Sequence, residues 1–556
     1  MATRLLIVGG VAGGATAAAR ARRLDEQAEI VVFEKGEHVS FANCGLPYYI
    51  GGVIDRRERL FMTTPKALKE RYEIEVRVLS EVTSIDRQQK QITVNDLQTG
   101  RTYTEGYDKL ILSPGAEPLR PPLPGIDLDT VLTLRTVPDT DRIKAIVDER
   151  GARSAVVVGG GFIGLEMAEN LVRKGLRVTM VEALEQVMAP LDPEMAIMVS
   201  DHVREKGVAL RLGDGVKSFE KRGSETVVTT SAGAELACDL VLLSVGVRPE
   251  SRLAREAGLE LGPRGHIQVD DYLRTSDADI FAVGDAIEVK DFIFGSPTAV
   301  PLAGPANKQG RIAASNALGR QLPFKGTQGT AIVKVFELAV ACTGCNHKTL
   351  ERNATPHLAS YTHQESHPFY YPGAEVMAIK LLFSPSDGKV LGAQIVGGDG
   401  VDKRIDVIAT AIRAGMTVYD LEELELSYAP PFSTAKDPVN VAGYVAANML
   451  RGDLETINAT EIDSLDREEN VLVDLREKRE IALRGQIARS EHIPLYWLRD
   501  NLPRLDRSKT YIAYCAVGYR GYIGYRILVQ NGFRARNLSG GFESYLPIGK
   551  NNTKRK

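Results

Sequence analysis

Two stretches of this chain share one grammar: an apolar strand, a glycine turn, a helix, a second strand and a closing acidic residue. The first runs from Leu5-Leu6-Ile7-Val8 through Gly9-Gly10-Val11-Ala12-Gly13-Gly14 to Ile30-Val31-Val32-Phe33-Glu34. The second runs from Ala155-Val156-Val157-Val158 through Gly159-Gly160-Gly161-Phe162-Ile163-Gly164 to Arg177-Val178-Thr179-Met180-Val181-Glu182. Glycines in such a turn let backbone amides reach a pyrophosphate at the helix N-terminus and let helix and strand pack closely. An acid about 20 residues further on is placed for a ribose hydroxyl. Gly9, Gly10, Gly13, Gly14 and Glu34 are therefore candidate contacts of one dinucleotide, and Gly159, Gly161, Gly164 and Glu182 of another. Val11 stands where the middle glycine of the first turn is expected, so the second turn is the cleaner match. Glu182 would accept from the adenosine hydroxyls and repel a 2′-phosphate, which favours NADH over NADPH. A nearby arginine would soften that preference.

Two such units do not use up 556 residues, a length that calls for three or four domains. Leu110-Ile111-Leu112-Ser113-Pro114-Gly115 and Leu240-Val241-Leu242-Leu243-Ser244-Val245-Gly246 read as strands where the chain leaves a nucleotide domain and returns to it. A further strand ends in Ala282-Val283-Gly284-Asp285. From about Gly326 the pattern changes to alternating segments, such as Thr330–Phe336 and Met377–Phe383, expected to form an antiparallel sheet. Apolar residues at helical spacing follow in Ile405–Ala414. Arg451–Asp463 is polar and reads as a linker. A fresh α/β pattern then begins with Val471-Leu472-Val473-Asp474 and leads through Tyr511-Ile512-Ala513-Tyr514 into Cys515-Ala516-Val517-Gly518-Tyr519-Arg520. The expected division is 1–116 with 250–324, then 117–249, 325–450, a linker at 451–462, and 463–550.

Composition excludes several classes. A formal charge of −3 gives no electrostatic case for nucleic acid or an anionic membrane surface. No apolar run approaches the roughly 18 residues that cross a bilayer. Arg4–Val8 runs straight into a strand without a basic-apolar leader, and the five cysteines are scattered. A cytoplasmic protein with reactive or buried thiols is the expectation.

Taken in order, these motifs resemble the pyridine nucleotide-disulfide oxidoreductase superfamily over roughly residues 1–450. The resemblance implies FAD in the first nucleotide domain, with Gly284 and Asp285 at its ribityl and phosphate region. It also implies NADH in the second and a third domain that makes a homodimer. The glycine turn, read with Ser40-Phe41-Ala42-Asn43-Cys44-Gly45-Leu46-Pro47-Tyr48-Tyr49, is similar to the coenzyme A-disulfide reductases. The last block resembles a rhodanese domain over its full length, which points to the rhodanese-bearing branch that includes NADH-dependent persulfide reductases. The fold class implied is α/β: two Rossmann-like dinucleotide-binding domains, an α+β dimerisation domain and a C-terminal rhodanese-like α/β domain.

The resemblance makes Cys44 the redox centre. The next cysteine, Cys238, is far away in another segment, so Cys44 has no internal disulfide partner. Its partner must come from outside: CoA persulfide, CoA disulfide, or another small persulfide or polysulfide. Asn43-Cys44 precedes a helical stretch, where amide dipoles would favour thiolate. By resemblance, Cys44 forms a mixed disulfide with coenzyme A, and Thr16, Arg20, Arg23, Ser40 and Asn43 line the CoA site. Arginines suit its phosphates. Tyr371 and Tyr428 match positions that reach the other subunit's active site, with Tyr370 competing for the role of Tyr371. A phenol there would protonate a departing thiolate.

At the far end, the loop from Cys515 to Arg520 would wrap amides and a guanidinium around a thiolate and then a persulfide. Arg520 has the alternative of pairing with Asp474 or Glu477. Cys342-Thr343-Gly344-Cys345 forms a C-x-x-C near His347, but it lies where a strand ends and no second pair exists; no metal site is assigned. Cys238 reads as core. The rival enzyme on the same fold is an NADH oxidase or peroxidase that cycles Cys44 through sulfenic acid. The fused C-terminal domain argues against it.

Overall fold

The computed structural model describes residues 2–554, with side chains from 2 to 549. The chain divides into two units. One is built from residues up to Glu185 and from Gly207–Thr327, the other from Gln186–Lys206 and from Gln328 onward.

The first unit contains both nucleotide folds. Arg4–Val8 pairs in parallel with Glu29–Phe33 on one side and Lys109–Leu112 on the other, and Glu75–Arg77 and Ile280–Ala282 flank these to complete five strands. Leu5, Leu6, Ile7, Leu110 and Ile111 are wholly buried, as the central strands of a doubly covered parallel sheet must be. The second sheet repeats the plan with Ser154–Val158 at its centre, between Arg177–Glu182 and Leu240–Leu243. Each sheet has a small antiparallel companion, Ser80–Gly106 in one and Val216–Cys238 in the other.

Both glycine turns are fixed by the same steric fact. Gly9 and Gly159 adopt φ of +93° and +106°, and a Cβ on either would lie 2.1 and 2.4 Å from the carbonyls of Ser113 and Ser244. Those serines end the neighbouring strands, so the turn and the strand it crosses exclude any side chain. Val11, by contrast, has φ −96° and precedes the helix Ala12–Arg22, outside the left-handed region that calls for glycine.

The second unit opens with an antiparallel sheet in the order Ala331–Val335, Leu338–Gly344, Val390–Gly397, Val376–Phe383, Leu358–Glu365. The helices Val401–Ala414 and Pro438–Leu450 pack on it. The helix Pro193–Glu205 belongs here too: Lys380, buried in the sheet, bonds both Asp192 at 2.8 Å and Glu194. Gln186–Lys206, inside the stretch 117–249 expected for the second nucleotide domain, groups instead with this sheet. An amphipathic helix does not reveal from its own pattern which core it serves.

The C-terminal fold is a five-stranded parallel sheet ordered Thr456–Ile457, Arg534–Leu538, Thr510–Tyr514, Asn470–Asp474, Glu491–His492. Its first strand lies inside the stretch read as a linker. Ile457, Ala459 and Ile462 are buried among otherwise polar neighbours, and that spacing anchors a segment whose composition suggests a tether. This fold is seated on the antiparallel sheet of its own unit. The Tyr361 amide donates to Ser539 Oγ at 3.0 Å, and His363 Nε2 lies 2.9 Å from Ser544 Oγ. Burial lowers the His363 pKa to about 4, so this contact is neutral at physiological pH.

Candidate active site

Cys44 sits in a single 3-10 turn, Asn43–Gly45, followed by the five-residue helix Leu46–Ile50. Just before it, Ser40 takes a left-handed φ of 49°, held by donation of its amide to the Gly10 carbonyl at 2.8 Å and by its own carbonyl accepting from Met62 at 3.0 Å. A non-glycine residue in that region carries strain that its surroundings must hold. The strain turns the chain sharply between the glycine loop and Cys44.

The thiol is exposed, and its surroundings disfavour the thiolate. The surrounding protein raises its pKa first, then the carboxylates of Glu166 and Asp285 raise it further. A backbone hydrogen bond of the turn lowers the pKa, in the direction expected of helix-start amides, but burial and then the two acids raise it more. Glu166 lies on the helix Phe162–Arg173, which begins at the second glycine turn, and accepts a hydrogen bond from Tyr48 Oη at 3.2 Å. Burial and then Glu169 push its carboxyl up to about 7, against the pull of the Tyr48 hydroxyl. Neither Glu166 nor Tyr48 was singled out from the sequence. The available signal was an acid at each of two positions, 166 and 169, in an otherwise apolar run.

Glu34 and Glu182 occupy matching places. Glu34 accepts from the Gly10 and Gly36 amides, both at 2.8 Å, and Glu182 from Gly160 and Leu184 at 2.6 and 2.8 Å. Each carboxylate is thereby aimed by its own glycine loop. The helix Ala12–Arg22 has no side-chain cap and no acid in its first turn, so its amides are left for an anionic group. Gly284–Ala286 form a 3-10 turn in which Asp285 is half-buried and pushed above the usual carboxylate range by burial, with Arg135 opposing. An open helix start, an acid held by its glycine loop and a half-buried acid suit a dinucleotide in the first fold, and the second fold repeats the first two features except that its helix begins after Gly161.

Of the residues expected to bind CoA, Thr16 and Arg20 lie along one helix and are oriented by a second, Ala303–Ala317. Thr16 Oγ1 donates to Asn307 at 2.5 Å and Arg20 Nε to Ser315 Oγ at 3.2 Å. Arg20 has its pKa lowered by partial burial and by the charges of Arg311, Arg320 and Arg23, so these four guanidinium groups form one positive patch. Arg311 and Arg320 were not anticipated. Arg22, between them in sequence, is instead buried against the carbonyls of Tyr72, Glu73, Asp25 and Glu26. Asn43 is exposed beside Cys44, and its Oδ1 accepts from the Cys44 amide at 3.2 Å.

In the second unit, Tyr370 and Tyr428 are brought together with hydroxyls 3.3 Å apart, while Tyr371 packs edge-on against His367. The geometry thus joins Tyr428 with Tyr370 and not with Tyr371. Phe369, Tyr370, Tyr371, Tyr428 and Phe432 are all exposed, an apolar concentration of the kind that marks an interface.

Cys515 ends the strand Thr510–Tyr514 and is 1% exposed at the base of its loop. Gly518, at φ 91°, turns the loop into the helix Tyr519–Gln530. The loop is tied down from outside, the Cys515 and Ala516 carbonyls accepting from the Phe542 and Glu543 amides. Arg520 forks onto Glu480 at 2.7 and 2.6 Å, which raises the guanidinium pKa, and the Cys515 side chain raises it further. Asp474 is already taken by Arg476, both fully buried, so neither Asp474 nor Glu477 is the partner considered for Arg520. Cys238 is core, donating to the Thr226 carbonyl at 3.4 Å, and burial raises its pKa to about 12. Neither Cys342 nor Cys345 is in a disulfide, and burial raises Cys342 to about 11.

Comparison with known proteins agrees with this arrangement. Residues 3–310 match the pyridine nucleotide-disulphide oxidoreductase family, 330–438 its dimerisation domain and 458–547 the rhodanese-like domain. The chain is 36% identical over 447 residues to coenzyme A disulfide reductase of Staphylococcus haemolyticus, spanning 80% of this chain and 100% of that protein. The crystal structure of reduced Bacillus anthracis CoADR-RHD is 48% identical, superposes with a TM-score of 0.96 and covers 99% of both chains. An NAD-dependent persulfide reductase from A. fulgidus is 36% identical with a TM-score of 0.92, covering 98% of this chain and 100% of that one. With the two glycine turns, the antiparallel third domain and the C-terminal fold all matched in order, this chain belongs to the pyridine nucleotide-disulphide oxidoreductases, in a branch that carries a rhodanese-like domain.

Proposed function

We propose that the protein is an FAD-dependent reductase that uses NADH to cleave sulfur–sulfur bonds at Cys44, with CoA persulfide or CoA disulfide as the substrate class. The observation that carries this reading is the isolation of the exposed Cys44. The only other cysteine in its unit, Cys238, is a buried core residue, so the sulfur that Cys44 bonds is brought by a substrate. FAD, when bound, supplies two-electron transfer between a nicotinamide and sulfur.

The chain's own residues do the rest. Glu34, the open start of Ala12–Arg22 and Asp285 hold the first dinucleotide, and Glu182 with the second glycine turn holds the NADH. The patch of Arg20, Arg23, Arg311 and Arg320 binds the CoA phosphates. Thr16, Ser40 and Asn43 line the pantetheine path to Cys44. The mixed disulfide R–S–S–Cys44 takes up two electrons and one proton and yields R–SH and the Cys44 thiolate. Burial and the two acids favour protonation of that thiolate, so attack on the next substrate then releases a proton. Glu166, titrating near neutrality, is suited to hold that proton. In a homodimer built through the third domain, the Tyr370–Tyr428 pair supplies a proton to the departing sulfur.

The rhodanese-like domain carries sulfane sulfur on Cys515, with Arg520 positioned by Glu480 to offset the charge of thiolate and persulfide. Products are then a thiol with hydrogen sulfide from a persulfide, or two thiols from a disulfide.

Steady-state NADH oxidation by the FAD-loaded protein, with CoA persulfide, CoA disulfide and hydrogen peroxide in turn, tests the reading. Turnover of a sulfur substrate well above that of peroxide supports it. Peroxide faster than both would move the enzyme to the peroxidase class. Equal persulfide rates in wild type and Cys515→Ser would remove the sulfur-carrying role of the C-terminal domain.

A further inference from the structure

His347 is the first residue of the helix His347–Arg352, and Glu351 follows one turn later on the same face. His357 stands just before the strand Leu358–Glu365 and turns back toward them. One ligand atom from each of the three lies within 4.8 Å of the other two. The closest approach is between His347 Nδ1 and His357 Nε2, at 2.7 Å.

The protonation of this pair follows from what surrounds it. His357 Nδ1 is 2.8 Å from the Thr355 carbonyl, which only accepts, so Nδ1 carries the hydrogen. In the neutral ring Nε2 then presents its lone pair to His347. A backbone carbonyl holding the outer N–H is how metal-bound histidines are oriented. Facing that lone pair, His347 Nδ1 has two options: it carries a hydrogen and donates to His357, or both lone pairs converge on a cation. Only the second also engages the Glu351 carboxylate.

The helix bearing two of the three groups is firmly held. Asn346 Oδ1 caps it by accepting from Thr349 at 2.8 Å, and its Nδ2 donates to the Pro190 carbonyl at 3.0 Å. The His347 amide donates to Asp192 at 3.0 Å, and Lys348 Nζ reaches the carbonyls of Ala189 and Leu191, which keeps its charge away from the cluster. Such support holds the helix in place, and the two ring nitrogens need part only from 2.7 Å to about 3.3 Å to share a tetrahedral zinc with bonds of ~2.0–2.1 Å. The neighbouring Cys345 is buried, and among the described residues no cysteine joins the group.

We propose that His347, Glu351 and His357 form a site for a divalent transition metal, Zn2+ in the first instance, that clips the loop at 353–357 to the helix. Two imidazoles and one carboxylate suit zinc, nickel or copper and not the oxygen-seeking magnesium or calcium. Three protein ligands leave one tetrahedral position for water. The site is independent of the chemistry at Cys44.

The test uses full-length, FAD-loaded protein carrying Cys44→Ser and Cys515→Ser, which removes the reactive thiols as competing zinc ligands. After chelation, Zn2+ is titrated by calorimetry and thermal melting is followed in parallel, with the flavin spectrum as the check on folding. One equivalent should bind per chain and raise Tm. Glu351→Gln should weaken binding by at least the ~10-fold seen on losing a supporting group around a metal, and His357→Ala should abolish it. No saturable binding at micromolar Zn2+, or equal affinity in all three proteins, would overturn the proposal.

Discussion

Tyr48 donates its hydroxyl hydrogen to Glu166 at 3.2 Å, which joins the segment carrying Cys44 to the helix that starts at the second glycine turn. The two nucleotide folds of the first unit are therefore linked through a carboxyl that titrates near 7 and raises the Cys44 thiol. Glu166→Gln removes that charge and leaves the burial and Asp285 effects in place. The Cys44 pKa should fall, so the thiolate forms at lower pH. Above about pH 7, where wild-type Glu166 is ionised, the variant should alkylate faster with iodoacetamide; below it, where Glu166 is protonated, the two should converge. An unchanged pH profile of alkylation would remove Glu166 from the account.

Arg520 is held by a bidentate pair with Glu480, a geometry that lysine cannot reproduce. Arg520→Lys is expected to lower sulfane-sulfur loading of Cys515 by about tenfold or more, read by intact mass after exposure to a persulfide donor. CoA-disulfide reduction at Cys44 should be unchanged. A parallel loss of both would show that the substitution disturbs more than the loop.

Much of this was legible in sequence, and the parts that were not share a cause. The glycine turns, Glu34, Glu182, Cys44 and the Cys515 loop each lie within one short segment whose local pattern carries its geometry. Glu480 was missed because Arg520 meets it only when the helix Lys478–Arg484 folds beside the loop. Arg311 and Arg320 were missed because their helix, and the turn after it, lie about 300 residues from Arg20 in sequence. The buried strand Thr456–Ile457 was hidden by charged neighbours that composition averages together. The upward shift of the Cys44 thiol comes first from burial and then from Glu166 and Asp285, both remote in sequence.

Asp474 and Arg476 are fully buried and bonded at 2.6 Å, and Arg476 also donates to the Gly485 carbonyl. Asp474→Ala would leave a buried guanidinium without its counter-charge. A loss of about 3–5 kcal/mol is expected for the C-terminal fold. Calorimetric melting of the full-length protein should show it, and a loss under ~1 kcal/mol would contradict the burial argument.

The hydroxyl contact between Tyr370 and Tyr428 separates the two neighbouring tyrosines experimentally. Tyr428→Phe and Tyr370→Phe should each slow sulfur reduction by ~10²-fold or more, as expected for loss of a proton donor, with Tyr371→Phe close to wild type. A large effect at Tyr371 alone would reverse that assignment.

The central claim is that one cysteine does the sulfur chemistry. NADH-dependent reduction of CoA persulfide and CoA disulfide, measured side by side for wild type and Cys44→Ser at equal flavin content, tests it most directly. The variant should fall by at least ~10³-fold with both substrates, as losing a nucleophile demands, while still oxidising NADH in a single turnover. A Cys44→Ser enzyme within tenfold of wild type would contradict the account and place the chemistry elsewhere in the chain.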